Sequence, residues 1–223
     1  MDHITNYKQN LQHITGKKAK QIDTLLTTKY NISILQLMEI AGLRLAEFIK
    51  KKSQTKVFFF IGPGNNGGDG LVAARFLHSW NISVEIILIK EKSKYSKTSQ
   101  DNLKYFTKSG IPITLFCKKT LNKISSKDTI IDALLGTSLL SKPKKSIQHV
   151  LETINKCKST KISVDVPSGL NSTTGKLYKH HIEPNYILSF MAPKKGFKTI
   201  KHSKIFIADI GININTILKD NKF

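Results

Sequence analysis

The sequence predicts an α/β protein built on a mostly parallel central sheet with helices on both faces, and three observations carry that prediction. Short apolar runs of strand composition alternate with amphipathic segments of helical period. The first of these runs, Val57 to Ile61, is unbroken rather than alternating, as a central strand covered on both faces requires. Glycine-bearing loops follow several of the runs, at the carboxyl ends of strands where an open sheet binds its ligands.

Two helical patterns open the chain. Ile22, Leu25 and Leu26 recur at i, i+3 and i+4 after the candidate N-cap Thr15, and Ile34, Leu37, Met38, Ala41 and Leu45 do so after Asn31 and Ser33. Two N-terminal helices are therefore expected within residues 15–50, ahead of any strand, with an α/β core over 55–212. The strand Val57 to Ile61 runs into Gly62-Pro63-Gly64-Asn65-Asn66-Gly67-Gly68-Asp69-Gly70 and then into a helical pattern from Leu71 to Leu77. Ile82 to Ile89 reads as a second strand, Ser99 to Ser109 as a helix, Pro112 to Phe116 as a third strand and Asp128 to Leu134 as a fourth. A helix at Ser146 to Cys157 precedes a fifth strand, Lys161 to Asp165; Tyr186 to Phe190 and Lys204 to Ala208 supply the last two.

At 223 residues with 39% hydrophobic and 23% charged residues, the chain suits one compact unit with a sizeable core and leaves no room for a second catalytic domain. Its 36 basic residues against 15 acidic ones, a net charge of +21, invite a nucleic-acid reading. Only Arg44 and Arg75 are arginines, however. Lysine is a hydrated point charge without the planar fork that grips phosphates and bases, and these lysines are scattered in short clusters, so a solvated surface is the better account. Cys117 and Cys157 form neither a disulfide framework nor a metal-ligand pattern. No apolar run approaches the ~18 residues of a membrane span and the N-terminus has no signal-like core, so a cytoplasmic protein is expected.

Three strand ends combine glycine with a polar oxygen. Gly62, Gly64 and Gly67 meet the G-x-G-x-x-G spacing between strand and helix, where close backbone approach and free helix N-terminal amides receive an anion such as a pyrophosphate. The bland alternative is a tight turn with Asp69 as a helix cap. Asp132, near the end of the fourth strand, leads to Gly136-Thr137-Ser138; Asp165 closes the fifth, with Pro167 and Gly169 fixing the loop that presents Ser168. Either acid could instead serve only a turn. Taken together, Asn66, Asp132 and Ser168 could offer hard oxygen ligands to an alkali or alkaline-earth cation, and no nitrogen and sulfur cluster suggests zinc.

These motifs, with the closing Ala208-Asp209-Ile210-Gly211-Ile212 and the helical Met38-Glu39-Ile40-Ala41-Gly42, resemble the YjeF N-terminal domain family of NAD(P)H-hydrate epimerases over nearly the whole chain. The resemblance implies a Rossmann-like three-layer α/β/α sandwich. It implies an isomerase that interconverts the R and S forms of NADHX and NADPHX, the hydrated cofactors with a hydroxyl at C6 of the nicotinamide ring. By motif position, one potassium ion per subunit would fall to Asn66, Asp132 and Ser168. Substrate would contact Asn65, Asn66, Gly67, Gly68 and Asp69, the loop Gly136, Thr137, Ser138, Leu139, Leu140, Ser141 and Lys142, and Asp165. A homodimer, and a separate S-specific dehydratase as functional partner, are also implied. Two positions depart from the family pattern: Asn171 stands where an aspartate is common, and Ile40 where a polar residue is usual.

The chemistry requires an acid that protonates the departing C6 hydroxyl and then acts as base when water returns to the planar iminium. Asp165 is the first candidate, and Lys194 is a weaker one that reads equally well as another surface lysine. Two other functions are weighed. A non-catalytic nucleotide- or RNA-binding module would suit the charge but has no need of the acids. An ordinary NAD-dependent oxidoreductase would need a hydride-transfer set that the sequence does not display.

Overall fold

Alternation within one strand sets the layering of the molecule. Phe59 and Ile61 join a large apolar cluster on one side of the sheet, while Phe58 and Phe60 join a separate cluster on the other. The computed structural model describes residues 3–8, 10–139 and 141–220. Within them, β1 (Ile4–Asn6) precedes α1 (Gly16–Thr28) and α2 (Ile34–Lys50), followed by β2 (Val57–Ile61), α3 (Asn65–Ser79), β3 (Val84–Leu88) and α4 (Lys97–Lys108). Then come β4 (Ile113–Leu115), β5 (Thr129–Ala133), α5 (Lys145–Asn155), β6 (Thr160–Val164), β7 (Tyr186–Phe190), β8 (Lys204–Ala208) and α6 (Ile214–Asp220).

The strands form one sheet in the order β1-β8-β7-β6-β5-β2-β3-β4, parallel throughout except for β1. Helices α1 to α4 cover the Phe59 face through residues such as Ile22, Leu45, Leu71 and Phe106. Helix α5 covers the other face with Ile147, Val150, Leu151 and Ile154. The expected α/β/α sandwich is therefore present, its two helical layers unequal in size. Local signals start the first two helices: the Thr15 hydroxyl accepts from the Lys18 amide at 3.0 Å, and Ser33 with Gln36 forms a reciprocal capping box. Helices α2 and α3 approach closely because Gly42 has no Cβ, which would stand 2.3 Å from a Val72 methyl.

The expectation that two helices precede any strand is corrected by β1, which pairs antiparallel with β8 from Ile4 opposite Ala208 to Asn6 opposite Phe206. The sheet thus reaches outside residues 55–212. Three residues on an edge, held mainly by backbone bonds and half or fully exposed, leave no apolar pattern to read. For the site, the important point is adjacency: β6, β5 and β2 are consecutive neighbours, so the three motif-bearing strand ends lie side by side.

Candidate active site

A cleft of about 830 Å³ opens at these strand ends, walled by the α1 face, the start of α2, the β2–α3 loop, the loop after β5, Asp165 and the segment after β7. One end of it is formed by the first turn of α3. Gly64 caps this helix without a side-chain bond, and its carbonyl takes the Gly67 and Gly68 amides, so the Asn65 and Asn66 amides have no helix-internal acceptor. Asp69 lies inside the helix rather than at its cap and lines the cleft. Gly67 and Gly68 do not line it. A Cβ on Gly67 would meet the Gly62 carbonyl at 1.9 Å, and one on Gly68 would meet Met38 at 2.4 Å, so these glycines allow α3 to sit tightly on the strand and α2.

Asp132 is completely buried, and each of its oxygens has two donors. Oδ1 accepts from Ser168 Oγ at 2.6 Å and the Leu134 amide at 3.3 Å, while Oδ2 accepts from Ser163 Oγ at 2.8 Å and the Ser168 amide at 2.9 Å. Burial raises its pKa, and the hydrogen bonds from Ser168, Ser163 and Leu134 oppose that rise. Ser168 Oγ also accepts from the Leu135 amide at 2.9 Å, and Asn66 Nδ2 donates to the Leu135 carbonyl at 3.0 Å. Of Asn66, Asp132 and Ser168, proposed from sequence as one ligand set, Asn66 and Ser168 therefore meet at the Leu135 peptide, and Asp132 joins them through Ser168. Asn66 Oδ1 has no hydrogen bond among the described residues although the side chain is nearly buried. The loop that presents Ser168 depends on Gly169, which takes φ +95° where a Cβ would lie 2.5 Å from the His181 backbone.

Asp165 is built differently. It sits just past β6 at φ +59°, a left-handed conformation that aspartate tolerates better than most residues, and Met191 past the neighbouring β7 takes φ +62°. Asp165 Oδ1 accepts from Lys194 Nζ at 2.8 Å, Ser189 Oγ at 3.0 Å and the Phe190 amide at 3.3 Å. Oδ2 makes no hydrogen bond among the described residues, and the side chain, 14% exposed, lines the cleft. The reading of Lys194 as a surface lysine is corrected: it is 1% exposed, its ammonium enclosed by Asp165, Ser189 Oγ and the Phe190 and Ala192 carbonyls, each within 3.1 Å. An ammonium so placed fixes one carboxylate oxygen and leaves the other for chemistry.

Of the loop expected at residues 136–142, Gly136, Thr137 and Ser138 line the cleft. Leu139, Ser141 and Lys142 are not among its walls, and Leu140 lies outside the described residues. Sequence reasoning missed Asp23. Gly16, Ala19, Lys20 and Asp23 fall at i, i+3, i+4 and i+7 of α1 and together line the cleft. Burial, then the negative charge of Asp165, pushes the Asp23 carboxyl up to about 6, with Lys194 acting in the other direction. Burial, then Asp165 and Asp23, pushes Asp69 well above the usual carboxylate range. Three carboxyl groups and a buried ammonium thus share one space. That arrangement can hold protonated and ionised carboxyl groups side by side near neutral pH.

Comparison with known proteins fits this geometry. The family model described as "YjeF-related protein N-terminus" matches residues 34–196, from the start of α2 through the Lys194 segment. An NAD(P)H-hydrate epimerase of Puccinia graminis is 32% identical over 194 residues, 85% of this chain and 79% of the relative. One from Entamoeba histolytica is 33% identical over 86% of this chain and 85% of its own length. A bifunctional NAD(P)H-hydrate repair enzyme of Moorella thermoacetica is 30% identical, with the match confined to 40% of that longer protein. The crystal structure of yeast YNL200c superposes with a TM-score of 0.84 over 95% of this chain and 94% of its own, at 24% identity, and shows the same fold. With the model spanning β2 to β7 and relatives aligned over most of both chains, this chain belongs to the YjeF-related protein N-terminus family.

Proposed function

We propose that the chain is an NAD(P)H-hydrate epimerase, an isomerase that interconverts the R and S hydrates of NADH and NADPH. The observation that carries the reading is Asp165: one oxygen is held by Lys194, Ser189 and Phe190, and the other, without a hydrogen bond among the described residues, stands at a cleft whose far end presents the first amides of α3. The dinucleotide pyrophosphate suits those amides, and its hydrated ring then falls toward the acids. When the C6 hydroxyl takes a proton from a carboxyl group, the ring nitrogen expels it as water and a planar iminium forms. The anionic face of the cleft stabilises that cation, and water returns to C6 as a carboxylate takes its proton.

The donor set of Asn66, Asp132 and Ser168 fits a potassium ion. It offers neutral oxygens and a single carboxylate, a low ligand charge suited to a monovalent ion, and Asn66 Oδ1, which has no hydrogen bond among the described residues, is the kind of atom such an ion would engage. When bound, the ion would supply positive charge that fixes the loops after β2, β5 and β6. A homodimer is the expected assembly, with Ile34 and Leu35 at the start of α2 offering exposed apolar surface, and an S-specific dehydratase is the expected functional partner.

The test supplies purified R hydrate to the protein together with an S-specific dehydratase and its nucleotide. The chain should make the R hydrate disappear at a rate proportional to its own concentration. Consumption no faster than spontaneous epimerisation would refute the assignment.

A further inference from the structure

Epimerisation through a planar iminium exposes both faces of the ring, because the hydroxyl leaves from one face and water must add to the other to invert C6. One carboxylate can serve both events only by moving around the ring edge. Two carboxyl groups, one presented from each side, need no such movement. Asp165 reaches the cleft from the end of β6, whereas α1 reaches it from a different wall through Gly16, Ala19, Lys20 and Asp23.

Helix α1 is rigidly placed for this. Ile14 and Lys194 form a parallel bridge, with the Ile14 amide bonded to the Pro193 carbonyl at 2.9 Å and the Lys195 amide to the Ile14 carbonyl at 2.8 Å. The Gly16 amide donates to Thr173 Oγ1 at 3.0 Å, and a Cβ on Gly16 would strike Ser172 Oγ at 2.3 Å and the Thr137 carbonyl at 2.7 Å. The start of α1 is therefore seated against the cleft loops and stitched to the segment that carries Lys194. Two turns later the same face delivers Asp23.

We propose that Asp23 is a second catalytic carboxyl group, which exchanges a proton with the C6 oxygen on the ring face opposite Asp165. This rests on the epimerase reading above. In one direction Asp23 gives its proton to the hydroxyl, the C6–O electron pair departs with the oxygen as water, and the nitrogen lone pair forms C=N⁺. A second water then adds from the Asp165 side, its oxygen supplies the electron pair of the new C6–O bond, and Asp165 takes the proton. The reverse direction exchanges the roles, so catalysis needs one of the two carboxyl groups protonated and the other ionised. Burial and the Asp165 charge favour the protonated form of Asp23, while the three donors on Asp165 Oδ1 suit an anion. The other charged groups at this cleft are Asp69 on α3, Lys194 after β7, and Lys17 and Lys20 on α1 itself.

The experiment measures kcat and kcat/KM for the R hydrate across pH 4.5 to 9 with the full chain, its Asp23→Asn variant and its Asp23→Glu variant. A proton shared between two carboxyl groups predicts a bell-shaped kcat/KM for the wild type, with one limb for each. Asp23→Asn should lower kcat ~100-fold or more, the usual scale for losing a general acid or base, and remove one limb. KM should change little, since the binding groups remain. Asp23→Glu should keep the bell and restore part of the rate, a rescue that a purely structural role for Asp23 would not give. A wild-type profile with a single limb would overturn the proposal even if Asp23→Asn failed to fold. Asp23→Asn turning over at the wild-type rate with the wild-type profile would overturn it as well and leave the epimerase reading standing. A wild-type chain that does not epimerise would instead sink the reading on which the proposal rests.

Discussion

Asp132 and Asp165 end neighbouring strands of one sheet, yet the fold treats them in opposite ways. Asp132 has no exposure and four donors spread over both oxygens. Asp165 has three donors on a single oxygen, a left-handed backbone and a second oxygen facing the cleft. A carboxylate bonded at both oxygens ties loops together and offers charge to an ion in contact with it. One bonded at a single oxygen is oriented but still able to move a proton. On the reading proposed above, the same residue type at the ends of two neighbouring strands serves architecture in one place and chemistry in the next.

The largest expected effect breaks this contrast at the chemical end. Asp165→Asn keeps a carbonyl oxygen able to accept from Ser189 and Phe190 but has no carboxyl proton to give. Epimerisation of the R hydrate, followed by NMR or chiral chromatography, should fall by about 10²- to 10⁴-fold. Retention of full activity would remove Asp165 from the chemistry.

The architectural end should respond in the other currency. Asp132→Ala strands the Ser163 and Ser168 hydroxyls and the Ser168 and Leu134 amides in a buried site, at an expected cost of about 3 kcal/mol or more. For a chain of this size that is roughly 6–12 °C in Tm, read by calorimetry or circular dichroism. The isosteric Asp132→Asn sharpens the comparison by removing the charge, although its NH2 also comes to face the Leu134 or the Ser168 amide. Wild-type Tm should rise when potassium chloride replaces choline chloride, and the rise should shrink or vanish in Asp132→Asn. An equal response in both proteins would separate Asp132 from any cation site.

Legibility in the sequence followed the same division between pattern and depth. The run Val57 to Ile61 was readable because every position is apolar, and the structure buries all five. The three strand-end motifs were readable because glycine and acid stand directly after such runs. Strand β1 was not, since Ile4, Thr5 and Asn6 pair through their backbones at an edge. Lys194 looked like many other lysines, and only the fold shows that it is buried beside Asp165. Asp23 sits among Gln21, Thr24 and several lysines on what reads as the solvated side of an amphipathic helix. The available signal was the small-residue stripe Gly16, Ala19 and Asp23 at helical spacing, which admits something other than solvent against α1.

The smallest expected effect concerns the charge of +21, which neither carboxylate needs for its local task. Lys17 and Lys20 line the cleft, so some of the lysine excess stands where a pyrophosphate would enter, while most of it is spread over the surface. Charges of that kind act through the long-range field: they raise the encounter rate of an anionic substrate and leave the bound chemistry alone. Accordingly kcat/KM should fall severalfold as ionic strength rises past about 0.1 M, where the Debye length has shrunk to ~10 Å, with kcat nearly constant. The loss should be partly reproduced at low salt by Lys17→Gln with Lys20→Gln. If kcat/KM is indifferent to salt, attraction plays no part in substrate capture. Recognition would then rest on the α3 amides and the cleft carboxyl groups, and the lysines would be surface composition.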